Sequence, residues 1–262
     1  MANAPIVTIK NLLEAGCHYG TATSLWHPRM KPYLYGKKGG IHIIDVRQTA
    51  RGLIQAHYFA AKLAKANKVL LFVGTKRQAK EIVREAARSV GMPFVTERWI
   101  GGTLTNFETV RSSVRRLDQI ESDMAKPEYV RESKKVQARH MRERKRIIRN
   151  LEGVRTMAKL PDALFVVDPR YEEAAISEAR RLNIPVIGLI DSDTDPELVN
   201  LAIPANDDGI RSIQAVVKVV LEGLARGRTE QMTKVEETVA PMAVAAAAPA
   251  APAAASSNFP TK

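Results

Sequence analysis

The sequence predicts an α/β protein whose parallel sheet is interrupted by an inserted helical hairpin. Short apolar runs alternate with amphipathic helical stretches before residue 104 and again after residue 159, which is the order of strands joined by helical crossovers. The segment between them has helical periodicity and no strand-like run. We therefore predict an α/β domain formed by residues 1–104 and 159–228, an antiparallel coiled-coil hairpin at 105–158 and a tail at 229–262.

The first half of the α/β domain contains three predicted strands and two predicted helices. The clearest strand is VLLFV at 69–73, a continuous apolar run of the kind buried on both faces of a parallel sheet. The helix after it ends before Gly91, because glycine suits the left-handed conformation that closes many helices. In chain order the elements are a strand at 41–44, a helix at 48–66, a strand at 69–73, a helix at 75–89 and a strand at 93–96.

The second half repeats the pattern and ends in the tail. Asp168 and Pro169 predict a helix start, since Asp is a good N-cap and Pro suits the first helical position. The elements are a strand at 163–167, a helix to about 182, strands at 185–190 and 201–203, and a helix from 206 to about 225. Residues 241–257 are nearly all Ala, Pro and Ser, too few large apolar groups to offset the entropy of ordering. We therefore expect residues 229–262 to be disordered.

The middle segment has the apolar spacing of two long helices that pack against each other. Thr105 and Glu108 predict a capping box at the start of the first helix, and Pro127 separates it from the second, which we place from about 128 to 158. Apolar residues three, four and seven apart indicate the seam of a coiled coil. The predicted seam residues are Phe107, Val110, Val114, Leu117, Met124, Met141, Ile148, Leu151, Val154 and Ala158.

The positive charge is concentrated in the first part of the chain. The whole sequence has a net charge of +12, but residues 1–159 carry 31 Lys or Arg against 13 acids and residues 160–230 carry 7 against 13. The first balance is therefore +18 and the second is −6. Such a division favours a polyanionic partner bound by one side of the molecule, with nucleic acid the commonest and an anionic membrane surface the alternative.

The strongest basic run lies in the second hairpin helix, where residues 132–150 contain eight Lys or Arg and two acids. Arg139, Arg142, Arg146 and Arg149 recur every three or four residues, so they form one stripe on that helix. A rod with this excess could lie along phosphates, although a solvated helix face and a protein-only coiled-coil adaptor are alternatives. The candidate polyanion-binding residues are Arg29, Lys31, Lys37, Lys38, Arg98, Arg111, Arg115, Lys134, Lys135, Arg139, Arg142, Arg146 and Arg149.

A second basic stretch, residues 26–38, interleaves aromatic and cationic side chains. It reads WHPRMKPYLYGKK, the kind of composition with which proteins hold single-stranded nucleic acid. Two interpretations stay open: a loop packed on its own body through Trp26 and Tyr33, or a surface that docks RNA or protein. The remaining aromatic residues are too few and too scattered to form a base-stacking platform, so any nucleic acid is expected to be bound mainly through its phosphates, sugars and shape.

Motifs for catalysis and cofactor binding are weak. GTK at 74–76 lacks the second glycine of a phosphate loop, and the single Cys17 excludes an internal disulfide. Asp191 and Asp193 follow an apolar strand as in phosphatase-like hydrolases, which is the enzymatic alternative, yet Asp195 stands where that motif has Thr or Val. The simpler interpretation is structural, with Asp191 and Asp193 ending a strand and Asp195-Pro196 capping the next short helical turn. A divalent metal held by His18, Asp191, Asp207 and Asp208 is a weak further candidate. We otherwise expect no cofactor, no secretory signal and no membrane span.

Several long blocks resemble one family in order and spacing. They are LLEAGCHYG, FVGTKRQA, RWIGGTLTNFETV, LPDALFVVDPR and IPVIGLIDSDTDPELVNLAIPANDDGIRSI, and they resemble the bacterial small-subunit ribosomal protein two family over about residues 6–228. The resemblance implies a flavodoxin-like three-layer domain with an inserted coiled coil and no catalysis. It also implies a cytoplasmic ribosomal location and, as partners, small-subunit rRNA and neighbouring proteins including the first protein of that subunit. Where the family has Asn-Pro-Lys-Met, this chain has His27-Pro28-Arg29-Met30.

Overall fold

The computed structural model describes residues 7–246, except for the side chains of residues 130, 131 and 232–246. The strands are β1 (Tyr19–Ala22), β2 (Leu34–Lys38), β3 (Ile41–Ile44), β4 (Leu70–Val73), β5 (Phe94–Val95), β6 (Ala163–Val167), β7 (Val186–Ile190) and β8 (Leu201–Pro204). The helices are α1 (Ile9–Glu14), α2 (Val46–Lys65), α3 (Lys80–Ser89), α4 (Phe107–Ala125), α5 (Lys134–Leu151), α6 (Glu173–Arg181) and α7 (Ile210–Ala246).

A five-stranded parallel sheet forms the centre of the molecule, in the order β5-β4-β6-β7-β8. Residues of β4, β6 and β7 are buried throughout, as expected for apolar runs covered on both faces. Phe72 and Phe165 belong to one core together with α2, α3 and α7, whereas Leu71 and Val166 belong to a second core with α6 and parts of α4 and α5. The predicted α/β class is therefore confirmed, with helices flanking the sheet.

A small antiparallel sheet, in the order β1-β3-β2, adjoins this body. The sequence predicts β3 but not β1 and β2, because YGTA and LYGKK are short and rich in glycine or lysine. Thr21 of β1 connects the small sheet to the loop after β7, where its N–H donates to Ser192 Oγ over 2.8 Å. The residues between β1 and β2 include a 3₁₀ turn at Pro28–Tyr33, whose Met30 is fully buried.

The last helix crosses α2 closely and extends further than predicted. A Cβ added at Gly223 would lie 2.4 Å from His57 O, and one at Gly227 would lie 2.1 Å from Ala61 O, so glycine allows the two backbones to approach. Residues 229–246, predicted to be disordered, continue α7 as helix. Residues 229–240 include Glu, Gln, Met and Lys, which have high helix propensity, so they can extend the helix although the Ala- and Pro-rich segment that led to the prediction begins only at 241. Residues 247–262 of the predicted tail lie outside the described residues.

Two predicted helix starts are wrong in detail. Asp168 adopts a positive φ of 58° in a turn and its Oδ1 accepts the Tyr171 N–H, while α6 begins five residues later. Helix α4 begins at Phe107 without the predicted capping box, because the Thr105 hydroxyl donates to Glu178 instead. No helix in the described part of the chain is both long and apolar enough to cross a membrane.

Candidate nucleic-acid interface

Helices α4 and α5 form an antiparallel pair, which we call the helical pair. Its direction follows from the contacts along its length: Arg111, near the start of α4, donates to Met157 O beyond the end of α5, whereas Arg116 further along α4 meets Glu143 in the middle of α5. Lys126-Pro127 ends α4 in a 3₁₀ turn at Pro127–Arg131, and α5 begins after Ser133, whose Oγ accepts the Val136 N–H over 3.4 Å. The second helix therefore starts later than the predicted residue 128 and ends at Leu151 rather than 158.

The contact between the two helices is partly apolar and partly ionic. Val110, Val114, Leu117 and Ile120 of α4 are buried, and Ile147 and Leu151 are the buried residues of α5. Two predicted seam residues are wrong: Met141 is 61 % exposed and Ala158 is exposed beyond the end of α5. Ile148 is partly buried against the same core. Polar side chains of α5 occupy the seam where Met141 was expected, and they turn this methionine outward.

Three arginines make these ionic contacts: Arg116 and Arg144 are partly buried and face inward, whereas Arg155 is exposed and follows the end of α5. Arg116 Nε lies 3.2 Å from Glu143 Oε1, and Arg144 lies 3.0 Å from Glu121. Arg155 lies 2.9 Å from the same glutamate. Burial opposes ionisation of Glu121, but the bonds from Arg155 and Arg144 outweigh burial and lower the pKa of Glu121. These arginines therefore have intramolecular carboxylate partners and serve the structure of the pair.

The outward-facing arginines of α5 form a second group, distinct from the arginines that are paired across the helices. We call Arg139, Arg142, Arg146 and Arg149 the arginine stripe, and all four are exposed. Within the described residues their hydrogen bonds are few: Arg142 Nε donates to Ala138 O over 3.2 Å and Arg149 Nε to Asn150 Oδ1 over 3.4 Å. None of the four forms an ion pair in that part of the chain, although guanidinium groups pair readily with carboxylates and phosphates.

Three of these arginines line one open surface cavity of about 440 Å³ together with Glu143. The carboxylate of Glu143 already accepts from Arg116, and the Arg116 bond is the main cause of its lowered pKa. Arg139, Arg142 and Arg146 therefore present a concave cationic surface with its one acid neutralised. Such a surface can hold the phosphate groups of a polyanion bidentately.

The first turn of α5 adds two further cations at a place where they do not help the helix. Lys134 and Lys135 are exposed, and this turn contains no acidic residue. Positive charge at a helix N-terminus opposes the helix dipole and costs a few tenths of a kcal/mol at an exposed site. Local sequence choices that weaken an element tend to mark functional sites. The two lysines extend the positive surface toward the turn of the helical pair.

The remaining candidate binding residues divide into paired and unpaired groups. Arg29 pairs with Asp195 at 2.6 Å and with Glu197 at 2.9 Å, and Arg115 pairs with Glu108. Arg111 is partly buried and donates to Met157 O over 2.8 Å, so it ties α4 to the residues after α5. The candidates that are exposed and have no ion pair within the described residues are Lys31, Lys37, Lys38 and Arg98.

Comparison with known proteins decides the family. The family model described as "Ribosomal protein S2" matches residues 12–227. This chain belongs to the ribosomal protein S2 family. It is 47 % identical over 226 residues to the small ribosomal subunit protein uS2 of Rhodopirellula baltica, covering 86 % of this chain and 87 % of that protein.

Two further members of the ribosomal protein S2 family are similarly close. The small ribosomal subunit protein uS2 of Coprothermobacter proteolyticus is 44 % identical over 230 residues, which cover 85 % of this chain and 83 % of that protein. The protein of the same name from Thermus thermophilus is 46 % identical over 222 residues, covering 85 % and 87 %. The resemblance found in the sequence blocks is therefore confirmed over nearly the whole folded chain.

The weak metal and phosphatase candidates lie at the carboxyl edge of the parallel sheet, where a lysine occupies the centre. Lys76 Nζ lies 2.7 Å from Asp207 Oδ1, 2.6 Å from Asp208 Oδ1 and 3.1 Å from Asp168 Oδ2. Burial lowers the pKa of Lys76, but the three carboxylates outweigh burial and leave it raised. Burial and the nearby Asp168 and Asp191 in turn raise the pKa of Asp207. One ammonium group thus balances several carboxylates.

This arrangement gives no support to either candidate chemistry. His18 does not complete a metal site, since the described residues contain no group of three or more His, Cys, Asp or Glu placed to hold a metal ion. Asp193 is paired with Arg170 at 2.6 Å, and Asp191 is buried with its Oδ1 accepting the Ser192 N–H. The two aspartates of the phosphatase-like motif therefore have separate structural partners, as expected for residues that end a strand.

Sequence reasoning missed Glu178, which organises the loop that leads into the helical pair. Its Oε1 accepts from Trp99 Nε1 over 2.9 Å and Gly102 N over 2.8 Å, and its Oε2 accepts from Leu104 N over 2.9 Å. Burial raises its pKa, but these donors outweigh burial and lower it. The available signal was its position among the buried residues Ala175, Ile176 and Ala179 of α6. Lys145, exposed on α5 without an ion pair in the described part, was also missed.

Proposed function

We propose that this protein is a non-enzymatic structural constituent of the small ribosomal subunit that binds ribosomal RNA during translation in the cytoplasm. Membership of the ribosomal protein S2 family supports the ribosomal role, because the relatives are named as small ribosomal subunit proteins. The net charge of +12, concentrated in residues 1–159, supports a polyanionic partner.

The observation that carries the RNA-binding proposal is the contrast between the two sides of α5. Inward arginines such as Arg144 are paired with acids, whereas the arginine stripe has no ion pair within the described residues. A solvated surface helix usually has mixed charges that satisfy one another. Unpaired arginines at one helix face are instead suited to phosphates, and each such contact releases counterions from the nucleic acid.

The helical pair acts, in this proposal, as a coiled-coil hairpin inserted in a flavodoxin-like domain. Its ion pairs and buried seam support a rigid rod, which would hold the arginine stripe in line along an RNA backbone. We also propose contacts with neighbouring ribosomal proteins, including the first protein of the small subunit, on the basis of the family resemblance. The carboxyl edge of the sheet, with Lys76 at its centre, would have a structural rather than a catalytic role.

Replacing all four residues of the arginine stripe by Gln tests the proposal. We expect the variant to incorporate into small subunits several-fold less than the parent when the two compete, because four phosphate-pairing groups are lost. The substitutions are exposed and replace no buried residue, so helicity and melting temperature should change little, within about 0.5 kcal/mol per site. Incorporation is measured by quantitative mass spectrometry of purified subunits after co-expression.

The matched control removes the same number of positive charges from positions outside the helical pair. Four exposed cations without ion pairs in the described residues serve for this: Lys62, Arg181, Arg211 and Lys218. Their replacement by Gln should leave incorporation at the level of the parent. If the stripe variant and the control variant incorporate equally well, the arginine stripe is only a solvated helix face.

A further inference from the structure

One exposed aromatic ring on the small sheet has no partner within the molecule. Tyr35 of β2 is 75 % exposed, the most exposed large hydrophobic side chain among the described residues. It takes part in no ring stacking, no cation–π contact and no side-chain hydrogen bond in that part of the chain. Aromatic rings usually bury most of their area, so a ring that is 75 % exposed on a strand is a candidate binding surface.

The nearby Trp26, by contrast, is already in use. Its ring lies 5.2 Å from that of His42, and Lys37 Nζ lies 6.0 Å from its centroid. These contacts hold the loop before β2 against the small sheet, which supports the packed-loop interpretation for Trp26. The interleaved stretch thus separates into a tryptophan that supports the surface and a tyrosine that remains available.

The surface around Tyr35 is positive and sterically open. Lys37 and Lys38 follow on the same strand, and both are exposed without an ion pair in the described residues. A Cβ placed at Gly36, Gly39 or Gly40 would meet no atom within 4 Å, so the space beside these three glycines is open. Strand β2 is also an edge strand, paired only with β3 in the small sheet.

We propose that Tyr35 stacks on an unpaired base of RNA while Lys37 and Lys38 contact the adjoining phosphates. This inference deepens the proposed function and rests on it, because it adds a base-stacking subsite to a protein proposed to bind RNA through phosphates. Every base offers a π face to an aromatic ring, and cations beside such a ring follow the backbone. A protein partner fits this surface less well, since lysine is depleted in protein–protein interfaces.

The test uses the full chain and two anionic probes, a single-stranded hexa-adenylate and inorganic polyphosphate. We expect Tyr35→Ala to weaken hexa-adenylate binding by about 5- to 150-fold, the range that loss of one stacked base produces. Binding of polyphosphate, which has no bases, should be unchanged. Tyr35→Phe should bind both probes like the parent, because it retains the ring. Fluorescence anisotropy titration at one fixed salt concentration measures these affinities.

Tyr171→Ala is the matched control, because Tyr171 is 65 % exposed and lies in the turn before α6; it should bind both probes like the parent. Equal binding of hexa-adenylate by Tyr35→Ala and the parent would overturn the proposal. So would an equal loss for both probes. If Tyr35→Ala impaired subunit incorporation with unchanged hexa-adenylate binding, the ring would dock a protein and the proposal would again be wrong. The stripe variant is scored separately by incorporation, so failure of the proposed function is distinguishable from failure here.

Discussion

At the scale of single residues, buried charges mark the places where this fold concentrates its electrostatic cost. Asp191, Asp207 and Glu178 are all largely buried. The groups that surround each carboxylate differ. Glu178 is surrounded by donors that favour its ionised form, Asp207 shares Lys76 with other acids, and Asp191 has mainly backbone N–H groups as partners. A buried carboxylate with few donors is costly to ionise, and burial accordingly raises the pKa of Asp191.

We expect Asp191→Asn to stabilise the protein at neutral pH. Burial raises the pKa of Asp191 to about 6, whereas an unfolded chain has a value of about 4. When a carboxyl has a higher pKa in the folded state than in the unfolded state, the protein becomes less stable as the pH rises from 4 to 6. The reason is that the group ionises freely over this range only in the unfolded state. The stability difference between Asn variant and parent should grow from near zero at pH 4 to roughly 2–3 kcal/mol at pH 7.

Urea unfolding curves of both proteins at pH 4, 5, 6 and 7 measure this difference. The amide oxygen of Asn can still accept the Ser192 N–H, so the substitution changes mainly the charge. A stability difference that is the same at all four pH values would show that Asp191 ionises in the folded state as easily as in the unfolded one.

At the scale of elements, the sequence predicts the helical pair but misplaces part of its seam. Apolar spacing identified Val110, Val114 and Leu117 on α4, all of which are buried. On α5 the same reasoning chose Met141. A heptad pattern cannot show that Glu143 meets an arginine of α4 and that Arg144 meets a glutamate of α4. Where ionic residues occupy a seam, apolar spacing no longer shows which residues face the partner helix. The face that α5 turns toward α4 therefore depends on ion pairs that are visible only in the folded chain.

The corrected seam predicts a clear difference between two substitutions on α5. Ile147→Ala should destabilise the protein by about 2–4 kcal/mol, since it removes buried methylene groups and leaves a cavity. Met141→Ala should change stability by less than about 0.5 kcal/mol, because that side chain is exposed. Thermal unfolding followed by circular dichroism compares the two variants with the parent. A larger destabilisation by Met141→Ala than by Ile147→Ala would restore the original seam and refute the corrected one.

At the scale of the whole molecule, buried strands were the most predictable feature and polar interactions the least. The runs at 69–73, 163–167 and 185–190 became β4, β6 and β7 because a sheet covered on both faces requires continuous apolar sequence. Strands β1 and β2 lack that signal. The arginine stripe was predicted from periodicity alone, yet the ion pairs that separate it from Arg116, Arg144 and Arg155 became visible only in the folded chain.

The division of charge along the chain leads to a prediction about salt that involves the whole molecule. Residues 1–159 carry a balance of +18, being 31 cations minus 13 acids, and the inward arginines among them are already paired. Affinity for RNA should then fall linearly with salt on a double-logarithmic plot, with a slope set by the number of phosphates neutralised. Replacing the four residues of the arginine stripe by Gln should reduce the magnitude of this slope by about 3, at about 0.7–0.9 per phosphate contact.

Filter binding of a small-subunit rRNA fragment between low and physiological salt gives both slopes. The control variant with Gln at Lys62, Arg181, Arg211 and Lys218 loses the same formal charge, but its substitutions lie outside the helical pair. A long-range effect of net charge would alter the control as much as the stripe variant, whereas direct phosphate contacts alter only the stripe variant. Identical slopes for parent and stripe variant would mean that other cations, such as those beside Tyr35, hold the phosphates.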